Sequence, residues 1–571
     1  MYKSKLTFVA ISISVLLAGC DTHSKDFADK VYSGGTILTM VGDTPNYVDT
    51  IAIKDGKIIF AGEEEQLSDL VDDKTEQIDL EGKTLLPGFI DAHGHAFNSG
   101  FQSTSANLFA PPDGEGKSIS EVISILKQWT IDNPKTVEEF GMIIGYGYDD
   151  SQLAEKRHPT AKDLDKVSTE LPVIIIHQSG HLGSMNSKAM TLFNYDKNIK
   201  DPLGGVIRRK NDNVTPNGVM EEMALFNVLI PYMAKFPVEV NEQLALAGID
   251  NYVQFGYTTA QEGRASAENS ETWRKLAKDN KLPIDVAVYP DIQAAFDYMK
   301  ESGVQKEYDN HFRIAGVKLS LDGSPQGKTA WLTEPYYKVP EGMPDDYKGY
   351  PAIEDPEERQ KYFDIAFDNN WQMLIHGNGD AAQDAIIEGV KKAGEKFGSD
   401  DRRSVMIHAQ MLREDQLDQM KELEIIPSFY SLHTFYWGDW HRDEVLGSKR
   451  AERISPTGSA LKRGMRFTEH HDAPVLPPNA IMILDTTVNR TTRSGDVLGE
   501  DQRVSPYIAL KSITDWAAWQ YFEEESKGTL EVGKLADLVI LDNNPLTVNK
   551  KSIKDIKVLE TIKEGITVYK K

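Results

Sequence analysis

The sequence predicts an α/β chain: a (β/α)8, TIM-like barrel with a large insertion after its first strand, flanked by a small β-sandwich built from both chain ends. Three observations predict it. Short β-branched runs alternate with amphipathic stretches through the middle of the chain, which marks β/α units and a mostly parallel sheet. Eight such runs can be counted, the number a closed barrel needs. The two ends of the chain share a short-strand character, and an open sheet edge is a liability that pairing the ends would remove.

Composition narrows the class. At 571 residues the chain exceeds what one core usually supports, so one large domain with attachments, or two domains, is expected. Hydrophobic content of 40% and charged content of 26% fit a soluble globular protein. With 63 basic against 88 acidic residues the net charge is −25, which repels a phosphate backbone and excludes nucleic acid as a partner. Cys20 is the sole cysteine, so there is no internal disulfide and no Cys-based zinc site. Any metal must be held by nitrogen and oxygen.

In chain order, Lys3 and Lys5 precede a mostly apolar run from Leu6 to Leu17, too short to span a bilayer, and Leu17-Ala18-Gly19-Cys20 then looks like a bacterial lipobox. Residues 1–19 are thus expected to be a lipoprotein signal peptide, Cys20 the lipidated residue and 20–29 a linker. The localisation that follows is an exported, membrane-anchored lipoprotein of a bacterial cell envelope, at the inner or the outer membrane. Residues 30–84 form the first part of the sandwich, where Asp55-Gly56 between β-rich arms is a strong hairpin signal. Residues 523–571 form the second part.

Between them, 85–97 carry the first barrel strand (Leu86 to Asp91) and the histidine pair that follows it. The other strands fall near Thr258 to Gln261, Ile284 to Tyr289, Ile314 to Ser320, Gln372 to His376, Val405 to His408, Ile425 to Ser428 and Met465 to His470, within 252–522. Helices are readable over Asp380 to Lys396 and Glu414 to Leu423. Residues 98–251 are left as an insertion over the barrel mouth, a lid or substrate wall. It has its own helix, in which Ser118 and Glu121 make a capping box and Ile119, Val122, Ile123 and Leu126 share one face.

Polar residues at the C-terminal ends of those strands are candidates for chemistry. They are His93 and His95, Lys318, His376, His408, and His470, His471 and Asp472. Any one of them would more often be a buried, satisfied histidine or a helix cap than a ligand. Together they supply donors for one or two divalent ions.

Several motifs go further: Pro87-Gly88-Phe89-Ile90-Asp91-Ala92-His93-Gly94-His95, Gly316-Val317-Lys318 with Asp322-Gly323-Ser324, His376-Gly377-Asn378-Gly379-Asp380, His408-Ala409, Asp472-Ala473-Pro474-Val475, and the tail from Lys527 to Val539. In these the chain resembles the amidohydrolase superfamily, in particular its long-insertion (amidohydrolase 3, YtcJ-like) branch that includes N-substituted formamide deformylases. The resemblance implies that His93 and His95 bind a first metal and that His376 and His408 bind a second or shared one. Asp472 would bind metal or hold the attacking water. The implied cofactor is one or two divalent ions, zinc first, with Lys318 N-carboxylated into a bridging ligand; the alternative for Lys318 is a salt-bridged lysine beside Asp322.

The expected reaction is hydrolysis of a C–N bond, of amide or N-formyl/N-acyl type, in a small molecule. A metal brings the pKa of its water down to about 7 and polarises the carbonyl, and Asp472 takes the water's proton and returns it to the leaving nitrogen. His177, His181, Lys328, Trp331, His433 and Trp437 are the candidate substrate contacts, with Tyr436 beside them; an aromatic run serves packing as readily as recognition. Arg490 and Arg493 either meet a substrate carboxylate or pair with Asp496 or Glu500. A non-catalytic, lipid-anchored metal- or solute-binding protein, and the same fold acting as deaminase or esterase, are the competing functions. An oligomer is compatible with the sequence.

Overall fold

The computed structural model describes residues 27–340 and 342–571. The expected signal peptide, Cys20 and the linker up to residue 26 lie outside the described residues.

Two parallel sheets hold the centre of the molecule. One orders its strands Phe312–Ile314, Asp285–Pro290, Tyr257–Ala265 and Phe89–Ile90. The other runs Val317–Ser320, Met373–Gly377, Val405–His408, Ile426–Phe429 and Thr468–Glu469. Their residues are almost all buried, as strands covered on both faces should be. Only Ala315 and Gly316 separate Phe312–Ile314 from Val317–Ser320, so the run expected as one strand bends and serves both sheets. There the sheets meet through the Ile292 N–H, which donates to the Lys318 carbonyl at 2.9 Å. At the opposite seam the Ile90 and Glu469 N–H groups donate to the Ile513 and Ser512 carbonyls, and the Asp472 N–H donates to the His93 carbonyl.

The first strand departs from expectation. Leu85 and Leu86 belong to the strand Thr84–Pro87, which pairs antiparallel with Leu538–Leu541, and only Phe89–Ile90 joins the central sheet. Gly88 makes the transfer, since a Cβ there would collide with the Thr258 side chain. Apolar character alone cannot say which of two sheets a run will join.

Both chain ends contribute to the flanking sheets. Lys30–Ser33, Thr50–Lys54, Lys57–Gly62 and Glu76–Asp79 form a four-stranded sheet. Thr36–Leu38, Tyr47–Val48, Thr84–Pro87, Leu538–Leu541, Val558–Lys563 and Ile566–Lys570 form a six-stranded one. Tyr32, Ile51, Ile53 and Ile58 of the first share a core with Leu85, Leu538, Ile540 and Ile562 of the second. The hairpin at Asp55-Gly56 forms with both residues at positive φ, 48° and 75°, the pairing that a two-residue turn between twisted strands requires.

A buried ion network ties these ends to the central sheets. The Asp285 carboxylate, at the start of a central strand, meets Lys527 and Lys563, the second at 2.6 Å; Lys563 also meets Asp537 at 2.9 Å and Lys527 meets Glu523 at 2.7 Å. Burial alone would push the Asp285 carboxyl up, but Lys527, Lys563 and His311 hold it well below the usual carboxylate range.

The insertion folds on a mixed sheet in the order Gly205–Arg209, Pro216–Glu222, Leu182–Met185, Val173–His177, Ile143–Tyr148, Ala106–Asn107. Its helix Ile119–Asp132 buries Ile119, Val122 and Leu126 and half-buries Ile123. Ser118 Oγ accepts from the Glu121 N–H as expected, while the Glu121 carboxylate takes the Ser118 hydroxyl instead of completing a capping box. Asn98 and Asn251 each fall inside a helix, Ala96–Ser103 and Val238–Val253, and the two helices pack tightly against each other. A Cβ on Gly100 would strike the Leu244 carbonyl and one on Gly248 the Ala96 carbonyl, so two glycines set their approach.

Replacing Asp285 with Asn should leave Lys527 and Lys563 buried with one partner fewer each and destabilise the protein by about 3–5 kcal/mol. The urea-unfolding midpoint measures this, and a midpoint equal to that of the unsubstituted protein would assign the network no stabilising role.

Candidate metal centre and its pocket

The strand ends converge as their spacing predicted. His93 and His95 follow Phe89–Ile90, Lys318 lies in Val317–Ser320, His376 in Met373–Gly377 and His408 at the end of Val405–His408, with His470 and Asp472 just past Thr468–Glu469. All but His470 line one cavity of 230 Å³, together with Tyr146, Ser179 and His181 from the insertion. The imidazole centroid of His93 lies 5.1 Å from that of His95, 5.8 Å from His408 and 5.4 Å from His470, and His376 is 4.4 Å from His408.

Hydrogen bonds on the far side of the rings fix which nitrogen faces the cavity. His93 Nδ1 donates to Gln261 Oε1 at 2.6 Å and His95 Nδ1 donates to the Gly263 carbonyl, so both Nε2 lone pairs point inward. They meet Asp472 Oδ1, at 3.5 Å from His93 and 3.3 Å from His95. That oxygen is buried and has no hydrogen-bond partner. On the other side His376 Nδ1 and His408 Nε2 face each other at 3.1 Å, and His408 Nδ1 stands 3.1 Å from His470 Nε2, whose Nδ1 pairs with Ser428. His408 and Asp472 sit at φ 71° and 54°, a left-handed backbone that non-glycine residues adopt where the surroundings force it.

Burial sets the electrostatics. It drives His93 and His408 well below the ordinary histidine value, with Lys318 adding to the effect on His93, and it brings His470 to about 3, so these rings are neutral at pH 7. Burial also lowers Lys318 to about 7, against the pull of Asp472. Its Nζ lies 2.9 Å from His93 Nε2, not beside Asp322, whose carboxylate accepts the Asn378, Gly379 and Trp331 N–H groups. Burial would raise Asp472, but His95, His470 and Lys318 hold its carboxyl below the usual range.

A divalent ion fits these residues. Donors bound at about 2.0–2.2 Å stand roughly 3–3.5 Å apart around the ion, which is the separation of His93 and His95 from Asp472 and of His376 from His408. The unpartnered Asp472 oxygen facing the His93 and His95 rings is what a cation would satisfy.

Among the expected substrate contacts, His177, His181, Lys328 and Trp437 line a second, larger cavity of 540 Å³ that shares His181 with the first. Trp331 and His433 line neither cavity. Trp331 takes a guanidinium over its ring from Arg359, and His433 is buried between Tyr430 and Trp437 with its Nδ1 on His441. Arg490 pairs with neither Asp496 nor Glu500 but gives its guanidinium to the Leu498, Ser455 and Ile454 carbonyls, and Arg493 donates to the Pro111 carbonyl. Tyr436 donates to Asp113.

Sequence reasoning missed Gln261, Glu262 and Tyr252, which stand behind the candidate ligands. Gln261 orients His93, and Glu262 accepts the Phe97 and Trp273 N–H groups, with burial raising its carboxyl to about 7. The His471 and Tyr252 side chains converge on Asp91, and burial lifts that carboxyl to about 7. Gln261 and Glu262 were legible only as the end of a strand, and nothing in their residue types marks them.

Parallel strands thus gather inward-facing imidazoles and one unpartnered carboxylate at the wall of a pocket, a donor set suited to a divalent ion. The amidohydrolase family model matches residues 76–569, and the chain belongs to that family. It is 24% identical to the putative amidohydrolase YtcJ of Bacillus subtilis, covering 95% of this chain and 99% of that one. It is likewise 24% identical to the N-substituted formamide deformylase of Arthrobacter pascens, over 91% and 95% of the two chains. Among solved structures it resembles an uncharacterized metal-dependent hydrolase of Pyrococcus horikoshii, with a TM-score of 0.73, 26% identity and coverage of 91% and 99%.

Gln261→Leu removes the acceptor that orients His93 together with the Nε2 donor to the Ala92 carbonyl and the Tyr521 hydroxyl, while Gln520 still donates to the Ala92 carbonyl and Tyr521 keeps its bond to the Asp91 carbonyl. A competition titration should show metal affinity falling about 10–100-fold. Affinity unchanged in a folded Q261L protein would remove Gln261 from the positioning of His93.

Proposed function

We propose that this chain hydrolyses a C–N bond, of amide or N-formyl/N-acyl type, in a small molecule. The two parallel sheets are read as one (β/α)8 barrel with the reaction at its rim, the sheets of the chain ends as a sandwich, and the insertion as the pocket wall. The observation that carries this reading is Asp472 Oδ1, buried without a hydrogen bond between the His93 and His95 Nε2 atoms at the floor of the cavity. The name of the Arthrobacter relative supports the bond type.

His93, His95 and Asp472 would hold one divalent ion and His376 and His408 a second or shared one, with zinc favoured by a set of nitrogen and oxygen donors. When bound, such an ion lowers the pKa of a water to about 7 and polarises a carbonyl. Lys318, brought to about 7 by burial, is partly neutral at physiological pH and so able to accept carbon dioxide and become a carboxylate. Asp472 is the base. Its carboxyl is held below the usual carboxylate range, above all by His95, so Oδ1 is available to receive the proton of the attacking water. The same oxygen then returns that proton to the departing nitrogen, because the two transfers are sequential. Tyr146 and His181 close the pocket from the insertion side and limit solvent around these groups. Cys20, at the end of Leu17-Ala18-Gly19-Cys20, supports a lipid-anchored, exported location.

Asp472→Asn keeps an oxygen at the site and removes the base. Turnover of N-formyl and N-acyl amines should fall by about 10²–10⁴-fold, while metal content by plasma mass spectrometry stays near that of the unsubstituted protein. Full activity in D472N would overturn the role of Asp472 as base, and loss of metal together with activity would leave it a ligand alone.

A further inference from the structure

We propose that the insertion carries a divalent-cation site of its own, formed by Asp149, Asp150 and His177 in the wall of the larger cavity. Asp149 and Asp150 follow the strand Ile143–Tyr148, and His177 ends the parallel neighbour Val173–His177, with Tyr148 paired to His177. One edge of the insertion sheet thus presents two carboxylates and an imidazole to the same point. Three side-chain oxygens or nitrogens, one from each residue, lie within 4.8 Å of one another.

The carboxylates alone would be an ordinary acidic patch; the imidazole makes the difference. His177 is 6% exposed, and its Nε2 is buried and makes no hydrogen bond, facing both carboxylates as an ion pair. It stands 3.5 Å from Asp149 Oδ1 and 3.3 Å from Asp150 Oδ1. An imidazolium bridging two carboxylates would close to about 2.7–2.9 Å. Donors sharing an ion at about 2.0–2.2 Å stand roughly 3–3.5 Å apart. The same two separations, 3.5 and 3.3 Å, occur where His93 and His95 face Asp472.

The surroundings hold the donors in place. His177 Nδ1 is engaged with Ser179, whose hydroxyl stands at 2.9 Å and whose backbone N–H donates to it at 3.0 Å, which leaves Nε2 as the nitrogen that faces the carboxylates. Asp149 is fixed by the Ser151 hydroxyl at 2.6 Å and the Trp437 indole N–H at 3.1 Å. Asp150 takes no such bond and borders the cavity; His158, whose Nδ1 meets the Tyr148 hydroxyl at 3.2 Å, brings its Nε2 to 3.7 Å from Asp150 Oδ2 as a fourth donor. Nitrogen and carboxylate donors without sulfur suit a borderline first-row ion such as Zn²⁺. A third cluster, Asp285, His311 and Glu564, lacks this feature, because Lys527 and Lys563 already occupy the Asp285 carboxylate.

The test is Zn²⁺ stoichiometry of the desalted full chain by plasma mass spectrometry, in the unsubstituted protein, in Asp150→Asn/His177→Gln and in His93→Ala/His95→Ala. The inference expects the first variant to hold one equivalent fewer than the unsubstituted protein, and the second variant to keep that equivalent. Equal zinc in D150N/H177Q and the unsubstituted protein overturns it. Loss of no metal from H93A/H95A would instead count against the hydrolytic centre and leave this site standing. Should D150N/H177Q not fold, zinc-soaked crystals of the unsubstituted protein decide: an anomalous peak within about 2.5 Å of His177 Nε2 supports the site, and its absence overturns it.

Discussion

Desolvation is the constraint on which the centre depends. Three imidazoles, a lysine and a carboxylate are drawn out of water at the ends of parallel strands, and the charged forms of His93, His408 and His470 become too costly to keep. The rings are left neutral, with lone pairs facing inward. The carboxylate of Asp472, ionised and unpaired at Oδ1, adds the single negative charge that neutral rings cannot supply. Without a cation this arrangement would be a stability cost, since burying an uncompensated charge costs several kcal/mol.

The rest of the chain holds that costly arrangement in register. The buried lysines Lys527 and Lys563 fasten the C-terminal strands to the beginning of a central strand, at the opposite end from the ligands. Charge is thus buried at both ends of the central parallel strands, fully paired at one end and left to be paired at the other. The difference separates a structural network from a functional one.

Much of this was legible in the sequence. Apolar runs located the parallel strands, because a strand covered on both faces must be apolar throughout, and Asp55-Gly56 fixed a hairpin through backbone conformation alone. The histidines were legible because residue type and strand-end position coincide. The unreadable parts depend on which partner a residue meets. Leu85 and Leu86 are as apolar as a central strand but lie in a flanking sheet. Arg490 has nearby acids in sequence yet serves carbonyls in space, and His433 is a core ring among aromatics. The strand-end argument that found His93 and His408 applies equally to the insertion, where it would have singled out Asp149, Asp150 and His177.

The helix Ala96–Ser103 starts directly after His95 and lies against Val238–Val253 with two glycines at the crossing. The insertion therefore leaves the central strands through a closely packed helix pair whose near end is His95. A side chain at either crossing glycine would meet a backbone carbonyl and force the two helices apart. The distance of the pocket wall from the central strands is thus set by main-chain contact at two positions that bear no side chain.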